Sequence, residues 1–306
     1  MGQDSKISWT THTWNPWWGC TKIDGSPACE HCYAETFSRR VGFSDLPTAS
    51  KFPIWGAQAQ RRFFGDKHWN EPLKWNEAAA SRYTLEYVFC ASMADWAEGR
   101  PDQQESLQRL WDLQSRTPWL VWLMLTKRPQ LISKLCAAGS DEGASRRWHG
   151  VTAETQKWLD IRWPHLKEVF SPVKWLSMEP LFENIRLPQD FLDLGNRAGV
   201  IVGGESGRQA RPMHPDFARY LRDQCAEAGV PFHFKQWGEW APGEMVADQK
   251  RYPTMNYFDG KWSRCSDDWM TEEDGGPIMY RLGTDKTGHL IDGVEWHQFP
   301  RECAAR

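Results

Sequence analysis

Seven short apolar runs, each closed by a polar or glycine-rich cluster, restrict what this chain can fold into more than any other feature. They lie at residues 6–13, 85–90, 119–125, 148–151, 173–176, 200–202 and 231–234. In the first, Ile7, Trp9, Thr11 and Thr13 alternate with other residues. The closing clusters include Ala91-Ser92-Met93-Ala94-Asp95, Thr126-Lys127-Arg128-Pro129, Thr152-Ala153-Glu154, Ser177-Met178-Glu179-Pro180, Gly203-Gly204-Glu205-Ser206-Gly207 and Lys235-Gln236-Trp237-Gly238. Helix-like segments fall between the runs, at 34–40, 103–116, 129–138, 156–168 and 215–228. The last has Phe217, Tyr220, Leu221 and Cys225 at helical spacing and Gly229 as its stop. Strands that alternate with helices imply a parallel sheet with crossover connections, hence an α/β fold. The regular repetition predicts a partial or full (β/α) barrel, with the chemistry gathered at the C-terminal ends of the strands.

Two stretches break the rhythm. Residues 41–83 hold Phe43, Phe52, Trp55, Phe63, Phe64, Trp69 and Trp75 and read as an aromatic-rich insertion. Residues 241–306 lack clear alternation and carry Gly275-Gly276-Pro277, Gly283, Gly288 and Gly293. The expected organisation is a barrel over 1–240 and a C-terminal extension over 241–306 that covers the barrel mouth or binds substrate.

A net charge of -3 gives no global basic signature, so nucleic-acid contact would depend on local patches. The start of the chain lacks the basic-then-apolar pattern of a signal peptide, and the apolar run from Trp119 to Leu125 is too short to span a bilayer. The expected setting is the cytoplasm, where eight cysteines do not imply four disulfides. Twenty tryptophans are an unusual load. Most are expected to pack cores, while Trp14, Trp17 and Trp18, just before the first cysteine, are candidates for stacking on a base or an adenine.

Three of the cysteines, Cys20, Cys29 and Cys32, crowd the loop after the first run, and the next cysteine is Cys90. The C-x2-C pair lets two sulfurs face one metal centre across a tight turn. The eight residues after Cys20 include Asp24-Gly25-Ser26-Pro27, which can fold back. Helix formers resume after Cys32, so this thiolate is expected near a helix N-terminus, where the partial positive charge favours it. Three thiolates can hold a [4Fe–4S] cluster and leave one iron open to chelate S-adenosylmethionine (SAM). One electron would then cleave the sulfonium to a 5′-deoxyadenosyl radical. The alternatives are zinc held by these cysteines with His12, His31 or His68, and incidental reduced thiols.

Cys29-x2-Cys32-Tyr33-Ala34 is similar to the cysteine signature of radical SAM enzymes, especially the branch related to spore photoproduct lyase. Trp14-Asn15-Pro16, Gly19-Cys20, Thr126-Lys127-Arg128-Pro129, Ser177-Met178-Glu179-Pro180-Leu181, Gly203-Gly204-Glu205-Ser206-Gly207 and Phe234-Lys235-Gln236-Trp237-Gly238 together resemble the phage Gp37/Gp68 family over about residues 7–240. Gly288, Leu290-Ile291-Asp292-Gly293, Trp296 and Pro300 resemble its C-terminal end. The chain departs from the usual C-x3-C-x2-C pattern: the first spacing is eight, His31 precedes Cys32, and the aromatic Tyr33 follows it. The usual aromatic contact to the cofactor therefore does not carry over.

The resemblance implies a radical SAM barrel that uses an external electron donor. Its phage association implies a nucleotide or DNA substrate, such as a hypermodified pyrimidine that the radical rearranges. It also suggests Glu154 for the SAM ribose, and Ser92 or Asp95 for the methionine amino group. Glu179 follows an apolar run directly and reads as a cofactor or substrate contact or a proton carrier, with Lys235 in the same mouth. Gly203 and Gly204 lack the lysine of a P-loop and read, with Glu205, as allowing close approach of the SAM adenine or the substrate. Arg208 and Arg211, and Lys127-Arg128, are candidates for an anion patch or a solvated rim. The alternative class is a zinc-stabilised nucleic-acid-binding protein without radical chemistry.

Overall fold

In the computed structural model, residues 2–44, 50–136, 143–264 and 276–300 are described. The expected elements at 137–138 and around Gly275, and part of the 41–83 stretch, lie outside them. The chain divides into two compact units, one of residues up to Thr152 with Trp158–Ser177, the other of Ala153–Lys157 with Met178–Pro300.

All seven apolar runs appear as strands: β1 (His12–Trp14), β2 (Glu86–Cys90), β3 (Leu120–Thr126), β4 (Arg147–Thr152), β5 (Lys174–Met178), β6 (Ala198–Gly203) and β7 (Phe232–Gln236). They form one sheet in strict chain order, β1 to β7. Pairing is parallel from β1 through β5 and again between β6 and β7. A doubly wound sheet reverses its strand order at a switch point. This one never reverses, and β1 does not pair with β7, so the architecture is a partial (β/α) barrel and not a closed one.

Several strands are covered on both faces. β4 and β6 are buried along their whole lengths, and β3 along all but Leu125. In the first unit, α1 (Tyr33–Arg40), α2 (Glu71–Ser81) and α3 (Gln104–Ser115) follow β1 and β2. α3 buries Leu107, Leu110, Trp111 and Leu113, an apolar stripe at helical spacing, together with the polar Gln114. After β3 comes α4 (Ile132–Cys136), and α5 (Gln156–Lys167) follows β4. In the second unit α6 (Pro215–Ala228) has Pro215 at its start, an N-cap His214 side chain that accepts from the Asp216 amide, and left-handed Gly229 as its stop.

The first strand is shorter than the alternation at 6–13 implies. The Thr10 amide donates to the Ile7 carbonyl, closing a turn there. The Thr10 hydroxyl then bridges the carbonyls of His12 and Tyr87. The tryptophans before the cysteine loop also differ from expectation. Trp14 and Trp17 are buried in the core, with Trp14 stacked on His68 and edge-on to Trp69 and Trp122. Only Trp18 of the three is partly exposed.

The 241–306 stretch contains a four-stranded antiparallel sheet that its sequence pattern did not announce. Its strands are β8 (Trp240–Pro242), β9 (Thr254–Phe258), β10 (Lys261–Arg264) and β11 (Ile278–Arg281), in the order β8-β11-β9-β10. Asp259 and Gly260, both at positive φ, make the two-residue turn between β9 and β10. A second such turn, Asp292-Gly293, joins β12 (Leu290–Ile291) to β13 (Val294–Glu295). The segment after β13 then lies along β7. The Phe234 amide donates to the Trp296 carbonyl at 2.7 Å and the Gln298 amide to the Phe232 carbonyl at 3.1 Å. This covers the edge of β7.

Gly150 in β4 packs against the Trp175 indole, and a Cβ there would sit 2.3 Å from a ring carbon. Gly150→Ala is expected to destabilise the protein by roughly 1–3 kcal/mol through overpacking. Urea unfolding followed by tryptophan fluorescence would measure this, and an unchanged midpoint would mean that the indole has room to shift.

Candidate functional site

The cysteine loop is fixed from below by residues far away in sequence. Trp17–Trp18 pairs antiparallel with Arg62–Phe63, and the next residue, Gly19, takes φ of 105°. A side chain at Gly19 would collide with the Ile54 carbonyl, since a Cβ would sit 2.1 Å from that oxygen. Cys20 follows directly, and its carbonyl accepts from the Gly56 amide at 3.0 Å.

Beneath it the Arg61 guanidinium, with no exposed surface, meets Glu98 at 2.6 Å. The same guanidinium donates to the carbonyls of Ile54, Ala59 and Gly56 and to the Thr21 hydroxyl. The Thr21 amide and Gln103 also donate to Glu98. Burial works against the charge on Glu98, but the bonds from Arg61 and Thr21 outweigh it and hold the carboxyl below its ordinary value.

The second half of the loop is shaped by helix starts. The Cys29 amide bonds the Ser26 carbonyl, and Cys32 is the N-cap of α1. Burial pushes the Cys32 thiol up, while the Glu35 and Ala34 amides and the Lys127 ammonium pull it back; Cys29 beside it pushes up again. Tyr33 donates its hydroxyl to the Ser92 carbonyl at 2.6 Å, tying the C-x2-C segment to the end of β2. Asn15 adds a second tie, donating to the Ser92 hydroxyl and accepting from the Met93 amide.

Lys127 and Arg128, at the end of β3, address both halves of the loop. Lys127 acts on Cys32, whereas Arg128 approaches the Cys20 sulfur at 3.8 Å and donates to the Thr21 carbonyl. Burial also raises the Cys20 thiol, with Asp95 next in effect and Arg128 opposing. Asp95 pairs with Arg128 at 2.6 Å and accepts from the Thr126 hydroxyl and the Ala97 amide. The first unit thus gathers Cys20, Cys29, Cys32, Ser92 and Asp95 around one loop. Asp95 orients Arg128, and Arg128 is therefore a loop anchor and not part of an open anion patch.

Three cysteine thiols are a donor set that can serve an iron–sulfur cluster with one open iron or, with a histidine added, a zinc ion. All three cysteines are partly exposed free thiols. Among the described residues, the only His, Cys, Asp or Glu trio with ligand atoms all within 4.8 Å of one another is His289, Glu295 and His297. His12 is stacked on Trp75 and bonded to Glu86, and His68 is bonded to the Asn15 carbonyl.

The second unit gathers another set. Lys235 and Glu179 form an ion pair at 2.6 Å, and Glu179 precedes a cis peptide bond to Pro180. Gly203 lies against them: a Cβ there would sit 3.4 Å from Glu179 Oε2. Gly204 has another reason to be glycine, because a Cβ would fall 2.0 Å from the Trp237 carbonyl oxygen. Its close approach is to the chain's own backbone. Glu205 accepts from Arg211 through its backbone amide, Nε and Nη2, and Arg211 lies over the Phe182 ring. Glu205 and Arg211 are thus engaged with each other. Glu154 is fully buried, and its carbonyl accepts from the Phe182 amide.

Sequence reading missed Arg61 and Glu98, whose partners lie 37 residues apart. The one available sign was a charged pair inside otherwise apolar or turn-rich stretches.

A family model described as "Protein of unknown function (DUF5131)" matches residues 4–300. No curated protein matches the chain. Among solved structures, a cysteine-to-serine mutant of spore photoproduct lyase is similar at 11% identity and TM-score 0.48, over 76% of this chain and 78% of that one. Spore photoproduct lyase complexed with dinucleoside spore photoproduct is similar at 14% identity and TM-score 0.46, over 92% of this chain and 72% of that one. A double mutant of that lyase with bound AdoMet and dinucleoside spore photoproduct gives 12% identity and TM-score 0.46, over 92% and 71%.

Glu98→Gln leaves Arg61 buried without its counter-charge, at an expected cost of about 3–5 kcal/mol at neutral pH. A depressed folded pKa means that the stabilisation is complete above the ordinary carboxylate pKa of about 4.3 and is lost as pH falls through the lower folded value. The stability gap between wild type and Glu98→Gln should therefore narrow below about pH 4. Denaturant titrations across that range test this, and a gap constant with pH would count against the clamp.

Proposed function

We propose that this chain, which belongs to the DUF5131 family of proteins of unknown function, is a radical SAM enzyme that acts on a nucleotide-type substrate. One observation carries the reading. Three partly exposed free thiols sit on one loop at the C-terminal end of a parallel barrel strand, with the Arg128 guanidinium 3.8 Å from the Cys20 sulfur.

Cys20, Cys29 and Cys32 would hold a [4Fe–4S] cluster. When bound, that group supplies one-electron cleavage of SAM and hence a carbon radical that abstracts hydrogen from substrate. The protein's part is to hold and screen. The Arg61–Glu98 pair and Gly19 fix the loop before any metal arrives. Arg128 and Lys127 place positive charge beside the thiolates, and the α1 amides add donors to Cys32.

Ser92 or Asp95, at the end of β2, is assigned to the SAM amino group. In the second unit Gly203 lies against Glu179, while Gly204 meets the chain's own backbone and Glu205 is held by Arg211, so neither of these two is assigned to the cofactor. In that unit Lys235 holds Glu179 in place, and Glu179 is assigned the proton transfers. The resemblance to the phage Gp37/Gp68 family directs the substrate choice to a nucleotide or DNA base, a hypermodified thymidine above all. Rearrangement or modification of that base is the assigned reaction, with an external electron donor. Among the described residues no helix is long and apolar enough to cross a membrane.

Anaerobic reconstitution followed by electron paramagnetic resonance is the deciding experiment. Wild-type protein should take up about four irons per chain and give a reduced-cluster signal that SAM shifts; alanine at Cys20, Cys29 or Cys32 should abolish it. Zinc uptake without a cluster signal would sink the radical mechanism and favour the zinc-stabilised nucleic-acid-binding alternative. With the cluster in place, release of 5′-deoxyadenosine is assayed against nucleosides and DNA. Glu179→Gln should keep full iron content and the SAM-shifted signal while lowering product formation by roughly 100-fold or more. Unchanged product formation would remove Glu179 from the mechanism.

A further inference from the structure

The second unit carries a separate constellation that the cysteine chemistry does not use. We propose that His289, Glu295 and His297 form a binding site for one divalent cation of the zinc class, which fastens the segment around β12 and β13 to the edge of β7.

The local chain path creates the constellation. The tight Asp292-Gly293 turn sets the register in which Leu290 pairs with Glu295. This brings His289, just before β12 and next to the residue opposite Glu295, within reach of the Glu295 carboxylate. The turn is itself held from α6, because Asp292 accepts from Arg219 at 2.8 Å and from Arg222 at 2.6 Å. The backbone at the other end is fixed by Trp237, whose indole donates to the Leu290 carbonyl at 2.9 Å. His297 is pinned independently by an antiparallel bridge to His233 in β7, with the two rings stacked at 4.4 Å and 7°.

The donor atoms converge on one point. Glu295 Oε1 lies 2.9 Å from His289 Nε2 and 3.3 Å from His297 Nδ1. All three ligand atoms lie within 4.8 Å of one another. Ligands on a tetrahedral zinc with bonds near 2.0–2.1 Å are about 3.3 Å apart, so small side-chain adjustments seat the ion. Two imidazoles and one carboxylate also form a donor set that zinc uses with three protein ligands and an open position. All three side chains face solvent, which gives an ion access and leaves water for the remaining position. The same geometry without metal is a pair of surface hydrogen bonds, which contribute little at such exposure.

The consequence is mechanical. One ion would join the residue before β12, the end of β13 and the strap along β7 into a single ring of contacts.

The test is a Co2+ titration of the metal-stripped full-length chain with Cys20, Cys29 and Cys32 changed to serine, followed by displacement with Zn2+. One ion per chain is expected, with visible bands of nitrogen and oxygen ligation. His289→Ala and Glu295→Gln, both at exposed positions, should each weaken binding at least tenfold. The same titration on wild-type protein keeps the outcome readable if the serine variant folds poorly, because Co2+ at the cysteines announces itself by a thiolate charge-transfer band. No uptake, or uptake that neither substitution weakens, overturns the proposal. A site that fills while the cysteines form no cluster leaves this proposal standing and counts only against the radical reading.

Discussion

A guanidinium with no exposed surface is the constraint on which the first unit's chemistry rests. Arg61 reaches three carbonyls, the Thr21 hydroxyl and the Glu98 carboxylate at once. Removing two charges from water is costly, and such a pair stabilises a fold only when its remaining donors are satisfied. Here they are satisfied by loop backbone, so the energy of the pair is coupled to the shape of the loop. The carbonyls belong to residues 54–59, and the hydroxyl to the residue after Cys20. The aromatic-rich insertion is therefore not an ornament on the barrel. It supplies the floor on which the first cysteine stands.

The cysteines show a division between what a sequence displays and what only a fold displays. Their spacing, and the helix that begins after Cys32, were legible because both are local. β3 and β6 were legible for a different reason: buried on both faces, they are nearly unbroken apolar runs. β1 was blurred because the alternation at 6–13 continues through a turn that Thr10 closes. The Arg61 clamp and the need for glycine at Gly19 were invisible, since both depend on residues about 35 positions away. The antiparallel sheet of β8 to β11 was missed although Asp259-Gly260 marked its turn. Its strands bury a polar residue, Asn256, between partly exposed apolar neighbours, which inverts the usual pattern.

Charge in the second unit follows a similar logic. Both Glu179 and Glu205 stood at strand ends, and the sequence set Glu179 apart only because it follows an apolar run directly. Glu205 is gripped by Arg211 through two guanidinium nitrogens and a backbone amide, a geometry that spends the carboxylate on scaffolding. Glu179 instead meets an ammonium, a point charge on a flexible stem that gains and loses partners readily. The guanidinium makes a multidentate fastening, and the ammonium a single point contact.

The strap along β7 has a consequence for how the molecule is made. Strands added in chain order can pair with a neighbour already synthesised, so the sheet suits assembly in the direction of translation. β7 breaks that convenience. Its outer hydrogen-bonding groups wait for residues 296–298, roughly sixty positions later, and until these emerge from the ribosome a bare parallel edge is exposed. The nascent chain is thus most prone to wrong partners late, when nearly everything else has been built.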